Sequence, residues 1–244
     1  MTMSNYERAA RIDLAAAFRL AARFGYEEGV ANHFSVALDD DGSTFLVNPH
    51  GLHFSEVRAS DLIVVDKEGN VLAGDGALDR TAFCIHSRVH LTRPDARCVL
   101  HTHMPYATAL AAVEGFRLEP VHQTSLRFHE RVAYDDGYTG LALEVEEGDR
   151  MCRALGEKEV LFLANHGVIV AAPTVADGFD TLYFLERACQ TQWLALATNL
   201  PLRRVTPDVA AATRDAWLAA PDPGAMHFAA LKRMLDRESQ DYAD

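Results

Sequence analysis

A chain of 244 residues, 49% of them hydrophobic, is long enough to bury a sizeable core. Its formal net charge of −12, with 23 Lys and Arg against 35 Asp and Glu, argues against a nucleic-acid partner, which needs clustered basic side chains. No apolar run approaches the roughly 20 residues that span a bilayer, and the first residues lack the basic and apolar regions of a signal peptide, so a cytoplasmic protein with no membrane partner is expected.

Taken in chain order, Ser4 or Asn5 caps a first helix whose apolar stripe of Ala10, Leu14, Phe18 and Ala21 stops near Gly25. Residues 32–38 and 44–47 read as two strands joined by a turn at Asp39-Asp40-Asp41-Gly42. That acidic triplet lacks the spacing of a calcium loop and reads as a solvated hairpin. Asn48-Pro49-His50-Gly51 leaves the second strand as a loop, and a helical turn capped by Ser55 is expected next. Strand 62–65 then turns at residues 66–70 towards Val71-Leu72. The loop 73–81 leads into a helix carrying Phe83, His86, Val89 and His90, and Asp79 reads as a turn or cap residue, with a reach into a site as the sharper alternative.

Arg93-Pro94-Asp95 stops that helix, and Arg97-Cys98-Val99-Leu100 reads as a buried strand running into His101-Thr102-His103. Strand side chains alternate, so His101 and His103 share one face about 6–7 Å apart. Two imidazoles so placed either share a divalent ion or form a hydrogen-bonded pair at a strand end. A helix over 105–113, a strand over 131–134 and a helix over 147–155 come next. Strand 159–163 ends at Ala164-Asn165-His166-Gly167 before a third apolar run, Val168-Ile169-Val170. His166, beside a glycine that permits a tight turn, is a candidate third ligand or a plain turn residue. A long helix over 174–198 buries Phe179, Leu182, Leu185 and Cys189 and carries Trp193 near its end. Residues 201–244 are polar, with one short helix near 226–235. Cys84, Cys98, Cys152 and Cys189 are widely spaced in apolar surroundings and read as free thiols.

Asn32-His33-Phe34-Ser35, Asn48-Pro49-His50-Gly51, Arg93-Pro94-Asp95, His101-Thr102-His103 and Asn165-His166-Gly167, in this order over roughly residues 8 to 200, resemble the class II aldolase/adducin family. The resemblance implies an α/β fold with a central, mostly antiparallel sheet flanked by helices, a domain over 1–205 and a helical tail over 206–244 packed on it. It also implies one divalent ion on His101, His103 and His166, with zinc as the first expectation and manganese, iron or cobalt compatible with the same donors. It implies a homotetramer with four-fold symmetry, acting on a small-molecule substrate at subunit boundaries.

The departures from the family pattern carry as much information. The family's aldolases carry a Ser-Ser-Glu run whose Glu precedes by four the histidine matching His86. Here Ala82 takes the place of that acid/base, and Arg80 and Thr81 fall on the serines. Asn32 and Gly51 of the phosphate-binding loops are kept, while Ala31 replaces a glycine and His50 a hydroxyl residue. Gln123, beside His122, stands where the aldolases send a Tyr into a neighbouring subunit's site. His86, His122 and Gln123 are thus the expected proton-handling or orienting groups. Asn32, His50, Gly51 and Arg80 are the expected substrate contacts, with Arg80 offering its planar fork to a carboxylate. His90 is expected to be structural, and His33 and His53 to serve local hydrogen bonding.

The function expected is a metal-dependent lyase, of decarboxylase or aldolase type, acting on a non-phosphorylated, carboxylate-bearing substrate. The alternatives are a non-haem iron oxygenase acting on an aryl 2-oxo acid and a non-catalytic, adducin-like binding protein.

Overall fold

The computed structural model describes residues 3–244. Helix α1 (Asn5–Phe24) begins where the Ser4 side chain accepts from the Glu7 amide and ends at Gly25, whose φ of 67° closes the last turn. Strands β1 (His33–Ala37) and β2 (Thr44–Val47) form the expected hairpin, and Asp39 accepts from Ser43 and Thr44 across its turn. Strands β3 (Ile63–Asp66) and β4 (Val71–Ala73) follow, then helix α2 (Arg80–Thr92) and strand β5 (Cys98–Thr102). The turn before β3 is organised by His53 rather than by Ser55, because the His53 ring and carbonyl accept the Ser55 and Glu56 amides.

Helices α3 (Pro105–Ala111) and α4 (Gln123–Leu126), strand β6 (Val132–Asp135), helix α5 (Val145–Leu155) and strands β7 (Val160–Leu163) and β8 (Gly167–Ala172) complete the sheet region. Helix α6 (Val175–Leu196) leads to α7 (Pro207–Leu218) and α8 (Pro223–Glu238). The region after 201 therefore holds two helices where one was expected. The signal for α7 is Pro207 at its first position, where a missing amide hydrogen costs nothing.

The eight strands form one sheet in the order β4-β3-β2-β1-β5-β8-β7-β6, antiparallel throughout except for the parallel pair β6–β7. Side-chain parity sorts its two faces. Phe34, Leu46, Leu100 and Val170 point into the larger core with α1, α3, α6 and α8, where Phe18 stacks on Phe34 at 4.8 Å. Val99, Leu161 and Ile169 point the other way, against Ile85 and Val89 of α2 and Met151 and Leu155 of α5. His33, Ser35 and His101 share the parity of Val99, so they face α2. The register places His33 directly opposite His101, with Ile169 on the other flank.

On the outer layer, α8 is tied to α6 by His227, whose Nδ1 lies 2.8 Å from Asp180, and Asp180 also accepts from Arg127. All four cysteines are free thiols. Among the described residues no helix is long and apolar enough to cross a membrane.

Candidate metal centre

Three imidazoles meet at one end of the central strands. His101 is the last residue but one of β5, His103 follows directly after the strand, and His166 sits in the turn joining β7 to β8. Their ring centroids are 4.7–5.0 Å apart, and each ring offers a nitrogen within 4.8 Å of the other two. Asn165 takes the left-handed conformation (φ 56°) that turns the chain here, a role the sequence reading assigned to Gly167. Gly167 is needed for closeness instead: a Cβ there would stand 2.5 Å from the Thr102 oxygen and 2.8 Å from the His103 ring.

The outward nitrogens are already committed. His101 Nδ1 donates to the Val168 carbonyl at 3.0 Å, and His103 Nδ1 donates to Glu28 Oε2 at 2.5 Å. Both rings therefore turn Nε2 inward, and the two Nε2 atoms lie 3.2 Å apart. Two lone pairs at that distance repel unless a cation sits between them. Nitrogens bound tetrahedrally to one ion at about 2.0–2.1 Å would be about 3.3 Å apart, so the donor set fits a divalent metal. Burial, reinforced by the neighbouring histidines, pushes the His101 pKa well below its ordinary value. Burial first, then His103 and Arg150, lowers His166 to about 4. At neutral pH these two rings are unprotonated, the state that ligates metal.

Glu28 was missed in the sequence because it lies 75 residues from His103. Its position follows from Asn32, whose side-chain oxygen accepts the Glu28 amide at 2.7 Å and so folds the loop over the histidines. Asn32 is buried and not among the cleft-lining residues; its contribution here is to this loop.

The triad opens into a cleft of about 270 Å³. Its walls include His33, His50, Asp79, Thr81, Tyr138 and Leu141, and among the described residues no lysine or arginine lines it. His50 Nδ1 is 3.0 Å from Asp79 Oδ2. Asp79 is also the cap of α2, accepting the Thr81 and Ala82 amides and the Thr81 hydroxyl through Oδ1. Its burial raises the carboxyl pKa, but those hydrogen bonds and His33 outweigh it and hold the group below its ordinary value.

Several expected site residues lie elsewhere. Arg80 turns outward, donating to the Leu143 carbonyl at 2.7 Å and lying 5.6 Å over the Phe83 ring, so it does not line the cleft. Ala82 is buried among Phe45, Val47 and Ile63, since the helix presents Thr81 and Ile85 to the cleft instead. His86 is fully buried behind His33, with its Nε2 2.7 Å from His33 Nδ1. His33, expected to be a local hydrogen-bonding residue, is the one that reaches the cleft wall, because its strand register sets it against His101; the rings stack at 4.9 Å. Burial lowers the His33 pKa to about 3. Gly51, at φ 93°, shapes the loop behind His50 without lining the cleft. His122 caps the short α4 and Gln123 begins it, and neither lines the cleft of its own chain.

Residues 12–193 match the family described as the class II aldolase and adducin N-terminal domain, and the chain belongs to that family. A Caulobacter vibrioides protein named for aldolase class 2 is 37% identical, covering 99% of this chain and 95% of its own. Rat alpha-adducin is 34% identical over 79% of this chain, a match that spans 26% of the adducin. An aldolase II superfamily protein from Pseudomonas syringae superimposes with a TM-score of 0.92 at 35% identity, over 99% of this chain and 98% of that one. L-fuculose 1-phosphate aldolase from Glaciozyma antarctica does so at 0.86 and 27% identity, over 99% and 96%.

Proposed function

We propose that the chain is a metal-dependent carbon–carbon lyase, of the aldolase or decarboxylase type, whose substrate carries no phosphate. One observation carries this reading: three imidazoles converge on a cleft with no lysine or arginine among its described lining residues. A divalent ion held by His101, His103 and His166 supplies Lewis-acid polarisation of a carbonyl or carboxylate oxygen and stabilises the negative charge that develops as the bond breaks.

The chain's own groups do the rest. Glu28 fixes the His103 ring, and the Val168 carbonyl fixes His101. Asp79 and His50, paired at the cleft wall, hold and return a proton at the substrate, in place of the carboxylate that position 82 lacks. Tyr138 and Leu141 add apolar surface to the cleft lining for the substrate's carbon skeleton. With Arg80 turned away, a substrate carboxylate has no guanidinium partner in the cleft, so a small oxo or hydroxy acid would be held through its oxygens at the triad itself.

The assembly proposed is a homotetramer. Trp193, Leu194, Leu196 and Leu200 are exposed at and just beyond the end of α6, an apolar cluster that a neighbouring copy would cover. Gln123 and His122, outside their own cleft, would then serve a neighbour's.

The test is metal quantification of the purified protein, followed by loading with zinc, manganese, iron(II) or cobalt and a screen of 2-oxo acids, hydroxyaryl carboxylates and sugar phosphates, in air and without oxygen. Stoichiometric metal and oxygen-independent cleavage of a non-phosphorylated acid are expected, and His103→Ala should abolish both. Faster cleavage of a sugar phosphate would refute the reading. A strict need for iron and dioxygen would make the chain an oxygenase. Absence of both metal and turnover would leave an adducin-like binding protein.

A further inference from the structure

We infer that a buried chain of hydrogen bonds locks His33 in a single tautomer, so that its Nε2 stands in the cleft wall as an acceptor for a hydroxyl group of the substrate. The chain runs from His33 Nδ1 to His86 Nε2 (2.7 Å), from His86 Nδ1 to Ser35 Oγ (2.5 Å), from Ser35 Oγ to His90 Nε2 (2.7 Å), and from His90 Nδ1 to the Ala96 carbonyl (3.3 Å). His33, Ser35, His86 and His90 are each at most 3% exposed, so their polar atoms must satisfy one another.

The direction of the chain follows from its last member. A carbonyl oxygen only accepts, so His90 Nδ1 carries the hydrogen and His90 Nε2, in a neutral ring, accepts. Ser35 must then donate to His90 and accept from His86 Nδ1, which leaves His86 Nε2 to accept from His33 Nδ1. The opposite polarity would set two acceptors, His90 Nδ1 and the Ala96 oxygen, facing each other in the interior. Burial keeps the rings neutral, holding His90 at about 4 and His86 well below its ordinary value. His33 Nε2 is therefore left with a lone pair. The hydroxyl in contact with it, that of Thr81, is 3.4 Å away and already donates to Asp79 at 2.5 Å. An acceptor left free in a cleft wall, beside an ionised Asp79 and with no lysine or arginine among the described lining residues, selects donors. The chemical class recognised is a neutral hydroxyl next to the group held at the triad, not an anion. The hydroxyl half of this inference rests on the lyase reading of the cleft; the tautomer half does not.

Long-range proton–nitrogen correlation spectra of the full-length, metal-free protein, labelled with 15N-histidine, read the tautomers directly. His33, His86 and His90 should each show a protonated Nδ1 and an unprotonated Nε2. A protonated His33 Nε2 would overturn the inference without touching the lyase reading. In Ser35→Ala, which breaks the chain, His33 should gain the Nε2-protonated form; an unchanged His33 tautomer would show that the chain does not set it. For the hydroxyl, the zinc-loaded protein is titrated with glycolate and with acetate. His33→Phe keeps a flat ring against His101 and should reduce the preference for glycolate by about 3- to 10-fold, the value of one hydrogen bond, with zinc stoichiometry unchanged. An unchanged preference, or loss of zinc from the variant, would overturn the assignment. Failure of the wild-type protein to take zinc or either probe would instead overturn the lyase reading, and the hydroxyl half with it.

Discussion

Glu28 Oε2 lies 2.5 Å from His103 Nδ1, joining a loop after the first helix to the second histidine of the strand-end pair. The carboxylate selects the tautomer whose Nε2 faces His101 and His166, and it makes that nitrogen a better donor. Glu28→Ala should therefore weaken zinc binding by about 10- to 100-fold, measured by competition with a chromophoric chelator. An unchanged affinity would mean that packing alone orients the ring.

Gly167 admits no side chain, because a Cβ would meet the Thr102 oxygen at 2.5 Å and the His103 ring at 2.8 Å. Gly167→Ala should destabilise the fold by about 1–3 kcal/mol, as overpacking does, and displace His103. Urea unfolding and zinc titration would show the two losses together. A variant with wild-type stability and affinity would contradict the close approach of β8.

The buried histidines make stability acid-sensitive. Burial lowers the His90 pKa from 6.5 to about 4, so between those values the unfolded chain binds more protons than the folded one. Stability should be complete above about pH 6.5 and fall as pH drops towards 4, by on the order of 3 kcal/mol from His90 alone. Melting temperatures across this range check the slope, and His90→Gln should flatten it.

Arg80 holds the Leu143 carbonyl and does not line the cleft. Arg80→Ala should accordingly change kcat/KM by no more than about twofold, the reach of an ordinary surface substitution. A loss of tenfold or more on a carboxylate substrate would restore the guanidinium–carboxylate pairing that the sequence led us to expect.

Assembly is open to a direct mass measurement. Light scattering at micromolar concentration should give close to four times the 26.9 kDa chain mass. Trp193→Glu, which places a charge in the exposed apolar cluster, should shift the population towards smaller species without unfolding it. A wild-type monomer would refute the tetramer.

What the sequence determined by itself is what local pattern controls. Alternation along residues 98–103 puts His101 and His103 on one face, a glycine stops α1, and the apolar run 168–170 marks β8. The family motifs then single out His166. The tertiary structure decided everything that depends on which distant residues meet. Antiparallel pairing at one register out of many sets His33 against His101, and a loop folded back by Asn32 brings Glu28 to His103. The rotation of α2 about its axis sends Ala82 into the core and Thr81 into the cleft, a choice that counting four residues back from His86 does not make. Asp79 does two jobs at once, helix cap and cleft wall, because one carboxylate has two oxygens facing different partners. Such relationships are fixed by the packing of whole elements, and no short window of sequence contains the coordinates of its partners.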